Sequence, residues 1–127
     1  MEKKKVVIAK NAPIAIGAYS HANIINGIVY TSGQIALDPK TNTLVSDDIT
    51  AEATKVMENL ITILEESGSG LDKVLKSTIY LTALSDFTAV DNVYKQFFGS
   101  DFPGRTCIEV SGLPKGAHIE IEMIASL

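Results

Sequence analysis

The sequence predicts an α+β fold in which two helices pack on one face of a mixed β-sheet. Two segments carry apolar residues at spacings of three and four, the pattern of an amphipathic helix. Four or five other segments alternate with period two or are rich in β-branched residues, as strands are. Along the chain the order is strand, strand, helix, strand, helix, strand, strand, which is typical of an α+β sandwich. We expect a single domain over residues 1–127.

The first two predicted strands precede the first helix. Residues 6–9 are mostly β-branched, and residues 28–37 begin with β-branched and aromatic side chains. Gly33 lies inside the second run, where a glycine weakens a strand. Such a glycine indicates either a bulge or a point at which another group approaches the backbone closely.

Both helices are predicted together with their ends. The first has its apolar stripe on residues 53–64, and Asp48 or Thr50 can cap its start. Gly68 lies just beyond its end, where a left-handed residue is favoured. The second helix is predicted over residues 86–98. Each helix therefore has one apolar face to bury against the sheet.

The remaining strands are predicted over residues 74–84, 105–110 and 119–124. The connection between the last two contains glycine and proline, which is typical of a turn between antiparallel neighbours. We therefore expect Arg105 and Glu120 on adjacent strands, on the sheet face that the helices leave open. A semi-apolar open face is often covered by association, so we expect a homo-oligomer.

Composition and charge exclude several function classes. The hydrophobic fraction of 46% and charged fraction of 20% are typical of a soluble globular protein. A net charge of -4 argues against a general nucleic-acid binder. One cysteine excludes an internal disulfide, and the two widely spaced histidines make no zinc motif with it. The lysine-rich start precedes too short an apolar run for a secretion signal, and no stretch approaches a membrane span, so we expect a cytoplasmic protein.

Arg105 and Glu120 are the candidates for chemistry. Arg105 follows a Pro-Gly turn that restricts its backbone, and a guanidinium can clamp a substrate carboxylate through two parallel hydrogen bonds. The alternative is a structural ion pair with Glu109, Glu120 or Glu122. Glu120 could position a water or pass a proton, whereas the alternative is a solvated strand position.

Four further residues could line a ligand site. Tyr19, in a glycine-containing loop, could cover a ligand with its ring or simply pack as an aromatic residue. Ser32 and Gly33 could offer backbone groups or mark a plain bulge. Cys107 shares the face of the arginine and is better explained as a small buried residue than as a nucleophile. Neither histidine has a partner at a catalytic spacing.

Five segments of the chain have a familiar pattern, over residues 12–20, 31–35, 103–110, 113–115 and 119–125. Taken in this order, they resemble the RidA/YjgF/translation-inhibitor family. The resemblance implies a chorismate-mutase-like fold assembled as a homotrimer, with ligand sites in the clefts between subunits. It also implies hydrolysis of reactive enamines and imines, such as 2-aminoacrylate released by pyridoxal-phosphate-dependent dehydratases, to 2-keto acids and ammonia. No cofactor or metal is implied.

The resemblance also assigns roles by position. Arg105 is similar to the family's carboxylate anchor, and Glu120 to the residue that orients water or handles protons. The pocket lining that the family implies falls on Tyr19, Ser32, Gly33 and Cys107, the last largely through its backbone.

Five positions depart from the family's pattern. Two of them would loosen the loops that aim the tyrosine and the arginine, which bears on the range of substrates more than on the reaction. The departures are Ala18 and Gly104 for a usual proline and alanine, His21 for glutamine, Asp91 for asparagine and Thr106 for serine.

Two other functions remain open at this point. An RNA-directed role, as ribonuclease or translation inhibitor, is claimed for some relatives, but the acidic balance and the lack of a basic stripe count against it. A non-catalytic module that senses a small carboxylate, or assists another protein, would use the same arginine pocket. Sequence does not separate that module from an enzyme.

Overall fold

A six-stranded mixed sheet with two helices on one face is the architecture of this chain, in a computed structural model that describes residues 2–127. This confirms the predicted α+β class. None of the helices among these residues is both long and apolar enough to cross a membrane. The strands are β1 (Lys5–Val7), β2 (Ala22–Ile25), β3 (Ile28–Thr31), β4 (Val74–Leu81), β5 (Gly104–Glu109) and β6 (Ile119–Ser126), and the helices are α1 (Ile49–Glu66) and α2 (Phe87–Phe98).

The sequence prediction missed one strand, β2, which pairs with β3 in an antiparallel hairpin. Asn26 and Gly27 form the turn, with φ angles of 52° and 75°. Two consecutive positive φ values define the turn that best matches the twist of a hairpin, and Asn-Gly is its strongest sequence signal. The sequence therefore contains a hairpin signal from which β2 could have been predicted. The predicted strand over residues 28–37 is too long, because β3 ends at Thr31 and the following residues form an irregular segment.

The prediction that the last two strands are neighbours is wrong. The sheet order is β1-β2-β3-β6-β4-β5, so β4 lies between β5 and β6. Strand β5 runs parallel to β4 because helix α2 connects them as a βαβ crossover, and β6 runs antiparallel to β4 on its other side. The connection from β5 to β6 therefore crosses the end of β4.

Alternation along these strands decides which residues share a face. In β6, Ile119, Ile121 and Met123 are buried toward the helices, whereas Glu120 lies on the open face. Arg105 lies opposite the buried Ser77 of β4, and its guanidinium contacts rings of α2. The expectation that Arg105 and Glu120 share the open face is therefore wrong. Cross-strand pairing with Ser77 fixes the arginine on the helix face.

Helix α1 buries the apolar stripe that the sequence predicts. Asp48 caps its start by accepting a hydrogen bond from the amide of Ala51 at 2.7 Å, and Gly68 follows its end with a φ of 90°. Two polar side chains, Glu52 and Asn59, are buried on the same stripe. Buried polar groups of this kind need partners, and both find them in the segments that follow β3 and precede β6.

Candidate functional site

Four of the predicted site residues meet in one cavity of about 400 Å³ on this chain, here called the acidic pocket. Its walls come from the loop of residues 13–16, the irregular segment after β3 and the turn at Pro114 and Lys115. The prediction gave this last turn no role. The predicted residues that line it are Tyr19, Ser32, Gly33 and Glu120.

Glu120 lies directly against the backbone of Gly33. A Cβ built on Gly33 would stand 2.8 Å from Cδ of Glu120 and still closer to one carboxylate oxygen. Real Cβ atoms do not approach other atoms that closely, so any larger residue would displace the carboxylate. Of the two interpretations of Gly33, a close approach is the one that the structure supports.

Burial raises the pKa of Glu120, and the negative charge of Glu122 on the same strand raises it further. Glu122 in turn accepts a hydrogen bond from the hydroxyl of Tyr80 at 2.9 Å, which raises the pKa of that tyrosine. Glu120 therefore takes up a proton closer to neutral pH than an exposed glutamate does. A carboxyl group with this property can act as both a proton acceptor and a proton donor.

Ser32 fixes the segment that carries Tyr19. Its hydroxyl donates to the carbonyl of Ser20 at 2.6 Å, and its amide donates to the carbonyl of His21 at 2.9 Å. Tyr19 is 49% exposed and lines the acidic pocket, so a ligand there can reach it. Gly17, with a φ of 119°, allows the chain to turn toward this ring.

His21 holds the loop of residues 13–16 against the core. The buried ring accepts a hydrogen bond from the amide of Ala9 at Nδ1 (2.8 Å), so Nε2 carries the proton and donates to the carbonyl of Pro13 at 2.7 Å. Both nitrogens are engaged in one neutral tautomer. His21, which departs from the family's usual glutamine, therefore supports the wall of the acidic pocket, a role that the sequence did not predict.

Buried polar residues of α1 hold the other walls, and the sequence prediction missed them. Glu52 accepts hydrogen bonds from the amide of His118 at 2.7 Å and from its ring at 2.9 Å. Asn59 donates to the carbonyls of Ile35 and Leu37 at 3.3 and 2.8 Å. The available signal was a polar residue at a stripe position, since Glu52 and Asn59 are seven residues apart on the buried face.

Arg105, the single arginine of the sequence, lies in a second cavity of about 400 Å³, here called the arginine pocket. Its Nη1 donates to Oδ1 of Asp91 at 2.7 Å. The guanidinium carbon lies 5.3 Å from the ring centre of Phe87 and 4.9 Å from that of Tyr94, both on α2. The hydrogen bond and charge of Arg105 lower the pKa of Asp91. None of the three glutamates considered as partners of Arg105 pairs with it, and its ion-pair partner is Asp91.

Cys107 is half-buried and packs against the core on the helix face. Burial raises the pKa of its thiol, so the sulfur is protonated and a poor nucleophile at neutral pH. It lines neither the acidic pocket nor the arginine pocket. The interpretation of Cys107 as a small buried residue agrees with this position.

The two pockets lie on opposite sides of the sheet, so this chain brings Tyr19, Ser32, Gly33 and Glu120 together and leaves Arg105 apart. Chemically, the acidic pocket offers an acid–base group, and the arginine pocket offers a cation for a carboxylate.

A family model described as Endoribonuclease L-PSP matches residues 9–127. The chain belongs to the RidA/YjgF/translation-inhibitor family. Within this family, a human protein named 2-iminobutanoate/2-iminopropanoate deaminase is 41% identical over 122 residues, which cover 96% of this chain and 89% of the human protein.

Solved structures of the Rid type share the fold. YyfA of Yersinia pestis, a Rid family protein of unknown function, is 44% identical with a TM-score of 0.95, covering 98% of this chain and 100% of that one. Escherichia coli TdcF with bound serine is 36% identical with a TM-score of 0.92, covering 97% and 98%. The comparison supports the α+β Rid fold over nearly the whole chain.

Replacing Glu120 by glutamine is expected to remove a pH-dependent loss of stability. Because the pKa of Glu120 is raised above its ordinary value of 4.5, the folded chain holds this proton more tightly than the unfolded chain does. The free energy of unfolding of the unmodified protein therefore falls as pH rises from 4.5 through the folded pKa, whereas the amide of the variant does not titrate. The variant is more stable above this window and equally stable below it.

Urea unfolding at pH values from about 4 to 8 measures this difference. Glu65→Gln, an exposed change on α1, is the matched control and should follow the unmodified protein. Parallel profiles for Glu120→Gln and the unmodified protein would show that the carboxyl group is not destabilised by its surroundings.

Proposed function

We propose that this protein is a cofactor-independent deaminase that hydrolyses 2-aminoacrylate-type enamines and imines to 2-keto acids and ammonia. The observation that carries the proposal is Glu120, a carboxyl group with a raised pKa held against Gly33 in a cavity. The name of the human relative, a 2-iminobutanoate/2-iminopropanoate deaminase, supports it. The substrates are those that pyridoxal-phosphate-dependent dehydratases release, and the protein acts in the cytoplasm.

The proposed reaction needs few groups because imines react readily with water. Arg105 binds the substrate carboxylate, and Glu120 takes a proton from a water molecule as the water oxygen bonds to C2. Glu120 returns this proton to nitrogen, which gives a carbinolamine. It then takes the proton of the new hydroxyl group and passes it to the amino nitrogen as the C2=O double bond forms, the C2–N bond breaks and ammonia leaves. An enamine substrate first moves a proton from nitrogen to C3, which converts it to the imine. One water is consumed, and one 2-keto acid and one ammonia are formed.

The complete site is proposed to form between subunits of a homotrimer. Arg105 and Glu120 lie on opposite faces of one sheet, so the arginine pocket of one subunit would meet the acidic pocket of the next. The exposed apolar side chains of the open face, Tyr30 and Ile108 among them, support association there. In this arrangement Tyr19, Ser32 and Gly33 line the substrate cleft from one subunit.

Cys107 is assigned a lining role from the other subunit. It lies two residues after Arg105 on the same face of β5 and packs against the core. Because its thiol is protonated, the side chain of Cys107 contributes only packing, and its backbone faces the cleft.

Replacing Arg105 by alanine is expected to lower kcat/KM about 30- to 4,000-fold, because losing one partner of a desolvated charge pair costs roughly 2–5 kcal/mol. The assay couples a threonine or serine dehydratase to this protein and times the release of the keto acid. Lys55→Ala, which removes a cation on the surface of α1, is the matched control and should leave the rate unchanged. A folded Arg105→Ala protein with the full rate would refute the clamp.

Mixing two variants, each lacking one of the two proposed catalytic groups, tests whether the site is shared. Subunits with Arg105→Ala and subunits with Glu120→Gln, assembled together in equal amounts, should recover about a quarter of the sites, because each neighbour pair completes a site by chance. Mass spectrometry of the mixture verifies three subunits and their mixed composition. Mixed trimers without activity would mean that both residues serve one subunit, and a different subunit number would refute the trimer.

The coupled assay also separates the other candidate functions. A protein that binds 2-oxobutanoate without accelerating keto-acid release is a binding module, and one that cleaves RNA in a salt-dependent manner is a nuclease. The two histidines argue against the nuclease: His21 is buried with both ring nitrogens bonded, and His118 is paired with Glu52.

A further inference from the structure

Asp91 accepts one of the hydrogen bonds that the Arg105 guanidinium could otherwise donate to a ligand. Its Oδ1 accepts a hydrogen bond from Nη1 of the arginine at 2.7 Å, and its Oδ2 lies 3.6 Å from Nζ of Lys95. The side chains of Arg105 and Asp91 are only 25% and 21% exposed. Solvent therefore screens this pair less than it screens a fully exposed one.

The pair also fixes the direction of the guanidinium. The rings of Phe87 and Tyr94 contact its face, while Asp91 holds one of its five N–H groups. The N–H groups that remain can bind a carboxylate through two parallel bonds. Asp91 thus orients the guanidinium and limits the directions from which a ligand carboxylate can approach it.

The charges around this clamp add up to a small positive value. Arg105 and Lys95 contribute two positive charges and Asp91 one negative charge, so one substrate carboxylate neutralises the site. Within the arginine pocket, a second carboxylate on the same ligand would meet the negative charge of Asp91, and the described lining residues offer no cation beyond Arg105 and Lys95. The other walls, Phe102 and Pro103, are apolar and offer it no hydrogen-bond donor from their side chains.

We propose that Asp91 is a specificity-determining residue that makes the arginine pocket select monocarboxylate ligands with small apolar side chains over dicarboxylates. The inference rests on the proposed function, because it takes the carboxylate of a 2-imino or 2-keto acid as the ligand of Arg105. What it adds is that the protein prefers the monocarboxylates among those acids to the dicarboxylates.

Asp91→Asn tests the charge separately from the shape, since asparagine keeps an oxygen that accepts from Arg105 and loses only the negative charge. The probes are 2-oxobutanoate, with one carboxylate, and 2-oxoglutarate, with two, titrated by calorimetry. The unmodified protein should bind 2-oxobutanoate more tightly. In Asp91→Asn the preference should shift toward 2-oxoglutarate by about 3- to 10-fold, the effect of one partly screened charge at close range.

Two further variants complete the experiment. Asp86→Asn removes a charge at the start of the same helix, where the side chain makes no capping hydrogen bond, and should leave the preference unchanged. Asp91→Ala frees the arginine from its orienting partner, so kcat/KM should fall for both monocarboxylate and dicarboxylate imines even though the negative charge is gone. A fall in kcat/KM for both imines in Asp91→Ala, beside a shift in preference in Asp91→Asn, distinguishes the orienting role of Asp91 from the effect of its charge.

The outcomes separate this inference from the function on which it rests. An unchanged preference in Asp91→Asn, in a protein that binds keto acids and hydrolyses imines, would overturn the role of Asp91 alone. Equal affinity of the unmodified protein for the two acids would also overturn it. Failure of the unmodified protein to bind either acid would overturn both the role of Asp91 and the clamp at Arg105.

Discussion

Successive residues of a β-strand point to opposite faces of the sheet, and this alternation governs where chemistry is possible in the protein. The register across β5, β4 and β6 places Arg105 opposite Ser77 on the helix face, and Glu120 opposite Tyr80 on the open face. No rotation of side chains moves either residue through the sheet. A reaction that uses both groups therefore requires a second copy of the chain, and this is the physical reason for proposing a shared site.

Polar groups from α1 and the core hold each pocket in shape. Glu66 at the end of α1 accepts hydrogen bonds from the backbone amides of Lys10 and Asn11. These bonds anchor the start of the loop over the acidic pocket. His21 and Glu52 anchor the remaining walls. The bond from His21 is buried and therefore costly to break, which holds this wall in place before a ligand arrives. The arginine pocket uses charge and aromatic rings for the same purpose.

Much of the fold could be predicted from periodicity, and the parts that could not be predicted depend on tertiary pairing. The stripe of α1 and the alternation of β6 follow from local spacing, so these elements were correctly predicted. The position of β6 between β3 and β4 does not follow from the turn that precedes it. For the same reason, the predicted proximity of Arg105 to Glu120 was wrong within one chain. Asp91 was noticed as an unusual residue, but its contact with Arg105 depends on how α2 lies on the sheet.

The central claim is that one small carboxylate contacts both pockets at once, and a crystal structure with 2-oxobutanoate bound tests it most directly. The account predicts the carboxylate of the keto acid on the guanidinium of Arg105 from one subunit, with its carbonyl carbon beside the carboxyl group of Glu120 from another. A keto acid bound wholly within one subunit, or away from either residue, would contradict it.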